Sequence, residues 1–376
     1  MSRPSLGELA RLFLKIGVVA FGGPAAHIAM MHDEIVRRRR WMDEQAFLDR
    51  LGVTNLIPGP NSTELAILVG GALGRGWGLV VAGVAFIVPA AVIVLALAWV
   101  YVRYGATPEA GSLLFGIKPV IIAIVAQALF SLGRRAAGAP LTAAVFVTAG
   151  AVYLLGVDEI VVLVSGGLIV MATRLARPVQ MRALMVPVGL SGSVWAQAAR
   201  SEVDLTTLFL VFLKIGSVLY GGGYVLLAFL RTDLVENLGW LSNDQLLDAV
   251  AIGQVTPGPL FTTATFVGYV VARVPGALLA TAGIFLPSFL LVALIGPFAE
   301  RLRRSQVMGA LLDGVNAAAL GLMAGVTVEL ARSAIVDGYT AALAALSLVI
   351  LVRFRLNSAW LVAGGAAAGV ALAGLR

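Results

Sequence analysis

The chain has 376 residues, 60% of them hydrophobic and 12% charged, with a formal net charge of +7 and a mean hydropathy of +0.96. Soluble globular domains carry about a quarter of their residues as charged side chains, so this composition excludes a soluble fold and predicts an all-α polytopic membrane protein. Cysteine is absent, which removes disulfides, thiolate metal sites and thiol catalysis. The basic excess is nearly all arginine and bears on orientation in a bilayer, not on nucleic acid.

In chain order, Ser5 to Glu8, "SLGE", has capping-box spacing and opens the first predicted helix. Lys15 interrupts the apolar run that follows, so the N-terminus does not read as a cleavable signal. Apolar stretches lie at about 6–31, 46–73, 76–102, 112–133, 139–155 and 158–173, with equivalents further on. The uncharged run from Leu79 to Val102 exceeds the roughly 20 residues a helix needs to cross hydrocarbon, and Pro89 inside it is tolerated where neighbours satisfy the freed carbonyl. His27 and His32 stand five apart and face different sides of a helix, which argues against a metal site with Asp33 and Glu34. No cofactor is predicted. "RRRRW", Arg37 to Trp41, reads as a topology signal in contact with anionic lipid.

The stretch "NLIPGPNSTELAILVG", Asn55 to Gly70, breaks an apolar region with Pro58, Gly59 and Pro60 and loads the break with polar side chains. The break recurs. "FLKIGVVAFGG" from Phe13 returns as "FLKIGSVLYGG" from Phe212, an offset of 199 that also relates Asp49 to Asp248 and Pro58-Gly59-Pro60 to Pro257-Gly258-Pro259. After a one-residue deletion an offset of 198 pairs Gly70 with Gly268, Arg75 with Arg273 and Pro89 with Pro287. One module is used twice, giving a first repeat over 1–175, a cytoplasmic linker over 176–204 and a second repeat over 205–376.

Arginine placement chooses between two topologies. If every apolar stretch crosses, the 24 arginines split 12 to 12 between the two sides. If the proline-broken stretch dips in and returns, each repeat has about five transmembrane helices, the repeats are inverted, and the split becomes 17 to 7, the bias expected of a cytoplasmic face. This reading puts both termini outside and makes each Pro-Gly-Pro the tip of a re-entrant hairpin. The bland alternative is a kink in a crossing helix.

Irregular backbone at membrane depth must line a cavity or be covered by protein, so the tips are expected to line one. The half-helices starting near Asn61 and Phe261 would aim unpaired amides and a positive dipole end at an anion. Inverted repeats with paired broken helices are the arrangement of secondary transporters. All three lysines, Lys15, Lys118 and Lys214, sit inside apolar stretches. Lys214 follows the predicted N-cap Asp204 by ten residues, about 15 Å at 1.5 Å per residue, close to mid-bilayer. It would face a cavity or a counter-charge, unless it snorkels. Lys118 is matched by Asn316 in the second half. Glu64 has the spacing to cap Asn61 and, alternatively, to carry a proton in coupling.

"FGGPAAHIAMMHDEIVRRRRWMDEQAFLDRLGVTNLIPGPNSTELAI", Phe21 to Ile67, with "GQVTPGPLFTTATFVGY" from Gly253 and "GIFLPSF" from Gly283, resembles the chromate ion transporter family in its long, two-repeat form. The resemblance implies export of chromate, a tetrahedral dianion, across the bacterial inner membrane, with chromate resistance as the outcome and no enzymatic activity. Sulfate has the same shape and charge and remains the alternative substrate, and an anion channel the alternative mechanism. Lipid is the other expected partner, and a homodimer is an assembly left open. In the first half the candidate substrate-binding residues are Lys15, Gly22, Gly23, Asn55, Pro58, Gly59, Pro60, Asn61, Ser62, Thr63 and Lys118, with Glu64 for coupling. In the second half they are Lys214, Gly221, Gly222, Gln254, Pro257, Gly258, Pro259, Thr262, Thr263 and Asn316. The second half departs from the first at Gly223 for Pro24 and at "LFT" for "NST".

Overall fold

The structure is a computed structural model that describes residues 4–21, 23–136, 138–175, 203–220, 223–298, 302, 305–354 and 358–373. The candidates Gly22, Gly221 and Gly222, and residues 176–202 of the linker, lie outside the described residues. Everything regular in the described residues is helical. The first half comprises α1 (Leu6–Val19), α2 (Gly23–His32, continued by wider π-type turns over Asp33–Arg38), α3 (Glu44–Thr54), α4 (Ser62–Tyr104), α5 (Pro108–Ala136), α6 (Pro140–Leu154) and α7 (Glu159–Leu175). The second comprises α8 (Leu205–Val218), α9 (Leu226–Leu230), α10 (Asn243–Val255), α11 (Thr263–Ile295), α12 (Gln306–Ala334), α13 (Gly338–Phe354) and α14 (Ser358–Ala373).

The expected helix starts are present. Ser5 and Glu8 form the reciprocal capping box, and Asp204 accepts from the amides of Thr206 and Thr207. The apolar stretch 6–31, expected to cross as one segment, instead folds back on itself. α1 stops at Ala20 and α2 returns alongside it, which brings the imidazole of His27 to the Ala20 carbonyl at 3.1 Å and Lys15 to Glu34 at 2.7 Å. Gly23, at φ 74, turns the chain where a side chain would be strained. Leu9, Leu12, Phe13 and Ile16 of α1 are fully buried with Met31 and Ile35 of the returning arm, so the apolar surface that looked lipid-facing is used to close this turn.

α4 and α11 are each two helices joined by a reversal. Non-helical backbone at Gly74 and Arg75, and at Ala272 and Arg273, splits them. Gly70 packs on the backbone of Gly78, and Gly268 on that of Gly276. Eight residues of straight helix would separate such pairs by about 12 Å, so the chain must double back between them. The arm 62–73 therefore lies against the arm that begins at 76, a contact so close that only glycine fits on both sides.

The long arms build an inner group in which α1 packs on α4, α8 on α11, and α4 on α11. Around it the halves exchange partners: α5 lies against α13 and α14, while α12 lies against α6 and α7. Small residues permit this. A Cβ on Gly116 of α5 would fall 2.7 Å from the amide nitrogen of Gly369 on α14, and one on Gly314 of α12 would fall 2.8 Å from Cα of Gly167 on α7. Close backbone approach is how helices attract in lipid, where apolar surface by itself drives little association. Among the described residues, four helical segments are long and apolar enough to cross a membrane, namely Ser62–Tyr104, Pro108–Arg134, Leu260–Ile295 and Gln306–Ala334.

Candidate functional site

The two Pro-Gly-Pro segments lie inside the inner group, and every residue of both is buried. The Gly59 amide donates to the carbonyl of Leu219, the residue that ends α8, at 2.9 Å. The Gly258 amide donates to the carbonyl of Ala20, which ends α1, at 3.2 Å. Both pairs are related by the offset of 199. Each tip is thus tied to the interrupted first helix of the other half, and the reciprocity of the two contacts is that of a two-fold relation.

The surroundings of the tips differ chemically. Beside the first, Glu64 is fully buried, one carboxyl oxygen 2.6 Å from the Ser288 hydroxyl and the other without a partner. Asn61 has φ 42 and makes no side-chain cap, so the capping role expected for Glu64 is not realised; the carboxylate turns across to α11 of the other half. His27 is also fully buried. Its Nε2 donates to the Ala20 carbonyl, which can only accept, and its Nδ1 lies 3.2 Å from the Ser62 hydroxyl. Beside the second tip the equivalents are Leu226, Phe261, Thr263 and Ala90, with no titratable group. The hydroxyls of Thr63 and Thr263 are buried without partners, and Thr262 bonds the Pro259 carbonyl at 2.8 Å. Asn55 is exposed and Gln254 half-buried, its carbonyl oxygen 3.4 Å from the Tyr224 hydroxyl.

The lysines are not free cations. Lys15 pairs with Glu34 at 2.7 Å, and Lys214 with Asp233 at 2.5 Å and Glu159 at 3.8 Å. Glu34 is shared with Arg38 and Arg39. Lys118 lies 2.6 Å from Asp244 at the start of α10, away from the tips. Asn316 sits half-buried on α12 in the outer group. A signal for the two equivalent pairs was present: the acids at 34 and 233 recur at the same offset of 199 as the lysines. Glu64 and Ser288 are 224 residues apart, and nothing local links them.

The Pro-Gly-Pro segments themselves are buried among the described residues. A cleft of about 510 Å³ opens between α3, the arm 62–73 and the end of α11, lined by Asp49, Arg50, Leu68, Gly71, Arg75 and Gly296 among others. Val53, Ile57, Ile67 and Val292 form an apolar floor between this cleft and the first tip.

Comparison with known proteins agrees with the internal duplication. A family model described as chromate transporter matches twice, over residues 7–171 and 206–370. The chromate transport protein of Cupriavidus metallidurans is 32% identical over 372 residues, covering 97% of this chain and 93% of that protein. That of Pseudomonas aeruginosa is 30% identical over 340 residues, covering 87% and 82%. A probable chromate transport protein of Synechococcus elongatus is 30% identical over 339 residues, covering 89% and 86%. No solved structure matches. The two model matches coincide with the two halves whose tips interlock, and the chain belongs to the chromate transporter family as a two-repeat, multi-pass helical membrane protein.

Proposed function

We propose that this chain exports chromate from the bacterial cytoplasm by alternating access, holding the dianion between two re-entrant Pro-Gly-Pro tips of inverted repeats. The reciprocal bonding of Gly59 to Leu219 and Gly258 to Ala20 carries the reading, because it ties each Pro-Gly-Pro segment to the interrupted first helix of the other half. Inversion is supported by the ends of the long arms. The end of α4 reaches α10, where the Tyr101 hydroxyl bonds Asp248, while the end of α11 lines the cleft with Asp49 and Arg50 of α3. The two arms thus run in opposite directions between the two tips' bases.

In this topology α1 and α2 return to one face, so the N-terminus joins Arg37 to Arg40, Arg50 and Arg75 on the arginine-rich, cytoplasmic side, instead of lying outside as the span count had it. α7 ends on that face, at Arg174 beside Asp313. The unpartnered hydroxyls of Thr63 and Thr263 are the ligands offered to the anion, since Gly59 and Gly258 already donate their amides to Leu219 and Ala20. Lys15 and Lys214 would act by exchanging a carboxylate for the substrate. Two negative charges leaving a negative interior gain about 2.3 kcal/mol per charge per 100 mV, so export needs no other driving ion.

Labelled chromate counterflow in liposomes tests the reading. Saturable exchange is expected, and flux without saturation or counterflow would mean a channel. Sulfate counterflow in the absence of chromate exchange would reassign the substrate. For topology, cysteines introduced at Gly105 and Gly338 should react with an impermeant thiol reagent from outside, and those at Gly7 and Ser305 should be protected in intact cells.

A further inference from the structure

The cleft is more than a gap left by packing. Arg50 reaches it from α3 and spends one guanidinium donor on the Ala46 carbonyl, at 2.7 Å. Arg75 reaches it from the reversal of α4, where its backbone adopts φ 57. The same left-handed arginine stands at the other reversal, where Arg273 lies over the ring of Tyr269, 5.9 Å from its centroid. In the first half the place of Tyr269 is taken by Gly71, so Arg75 has no ring to cover, and no ion pair is formed by it among the described residues. Asp49, also on the wall, accepts from Gln45 at 3.1 Å. Two guanidinium groups that cannot lose their charge, with most of their donors uncommitted, flank an opening whose floor is apolar.

We propose that this cleft is a loading site for a tetrahedral oxyanion, where Arg50 and Arg75 take the dianion from the arginine-rich side before it passes the floor of Val53, Ile57, Ile67 and Val292. The inference rests on the transport reading for its direction but not for its chemistry, since forked donors on two sides suit any tetrahedral oxyanion. Free oxyanion and lipid phosphate share that chemistry; the role as a loading site requires the free ion.

The test uses the full chain, purified in detergent and in nanodiscs of zwitterionic or anionic lipid, with sulfate and then chromate titrated calorimetrically at fixed ionic strength. Losing a charged hydrogen-bonding partner corresponds to roughly a 10-fold to 150-fold weaker affinity, expected for R50Q together with R75Q and partly restored by R50K with R75K. Gly71→Tyr fills the cleft and gives Arg75 the ring that Arg273 covers at the other reversal, and room exists for its Cβ, 3.5 Å from that of Leu79. It should weaken sulfate binding in the same way while melting as the wild type does. In liposomes the double glutamine variant should raise KM for chromate and leave the maximal rate near wild type. Unchanged sulfate affinity in folded R50Q/R75Q protein overturns the proposal, as does arginine-dependent binding seen only with anionic lipid. If the wild type binds sulfate through these arginines but shows no counterflow, the transport reading fails and the site stands.

Discussion

At the base of the first tip, Leu68 and Gly71 leave a cleft open; at the equivalent place in the second half Phe266 and Tyr269 fill the space, and Tyr101 of the first half closes over them with its ring 5.0 Å from that of Phe266. The backbones do not explain the difference, because both halves reverse at a left-handed arginine and both pack glycine on glycine across the reversal. Side-chain volume and the partners of the tip helices do. α3 rests chiefly on α4, whereas α10 packs also against α5, α12 and α14, and its Asp248 is buried beneath Tyr101. Two copies of one module thus leave an open cleft at one place and filled, closed packing at its equivalent.

The comparison breaks most completely at the tips it has in common. Gly59 has φ 140, and a Cβ there would lie 2.6 Å from the Glu64 carboxyl carbon and 2.9 Å from the Ser288 hydroxyl. Gly258 has φ 91, and its Cβ would lie 2.5 Å from that of Ala90. Strain and overpacking together cost about 2 to 6 kcal/mol at such sites, so Gly59→Ala and Gly258→Ala should each abolish counterflow. Normal exchange by both variants would mean that the tips do not act. Next in size, giving the first half the fillers of the second, Leu68→Phe with Gly71→Tyr, should slow the reaction of a cysteine at Val53 with a thiol reagent about tenfold, a shift worth about 1.4 kcal/mol. An unaltered rate would show that volume is not what keeps the cleft open.

Loosening the seal should matter less. Tyr101→Phe removes a 2.8 Å hydrogen bond to Asp248, whose other oxygen has no partner, and stranding a buried carboxylate costs about 1 to 3 kcal/mol. The expected result is a lower melting temperature with faster thiol reaction at a cysteine in place of Ile252. Smallest are the repeat-equivalent lysines. Lys15 is half exposed and Glu34 keeps Arg38 and Arg39 without it, so Lys15→Gln should cost below about 1 kcal/mol in a melting experiment. Lys214→Gln leaves buried Asp233 and Glu159 without a cation and should cost more. Equal losses would show that the two pairs are equivalent in energy as well as in register.

Much of the architecture was legible because duplication writes itself twice: the tips and the pair Lys15 and Lys214 recur at an offset of 199, and the glycines at the reversals at 198. The fold-back at Ala20 was not, since "VVAFGGPAAHIAMM" is apolar on both sides of its glycines and hydropathy cannot tell a crossing helix from two arms buried on each other. His27 and Ser288 escaped for another reason. His27 reaches Ala20 and Ser62 only after the first half folds back on itself, and Ser288 reaches Glu64 only after the halves interlock. Arg50 and Arg75 were read as markers of orientation, and only the space between them gives them a chemical setting.

Composition, the two-fold repeat and the proline-broken segments were enough to determine a helical membrane protein built from one module twice and to point at its tips, because those properties are local and additive along the chain. Which charges are spent on each other, where the open space lies and which half is sealed were decided by packing between residues on average far apart in sequence. A lysine's worth as an anion ligand depends on whether a carboxylate stands 2.7 Å away, and a glycine's on what faces it across a helix reversal. Neither distance is encoded by spacing, since each follows from the burial of apolar surface that brings the two halves together.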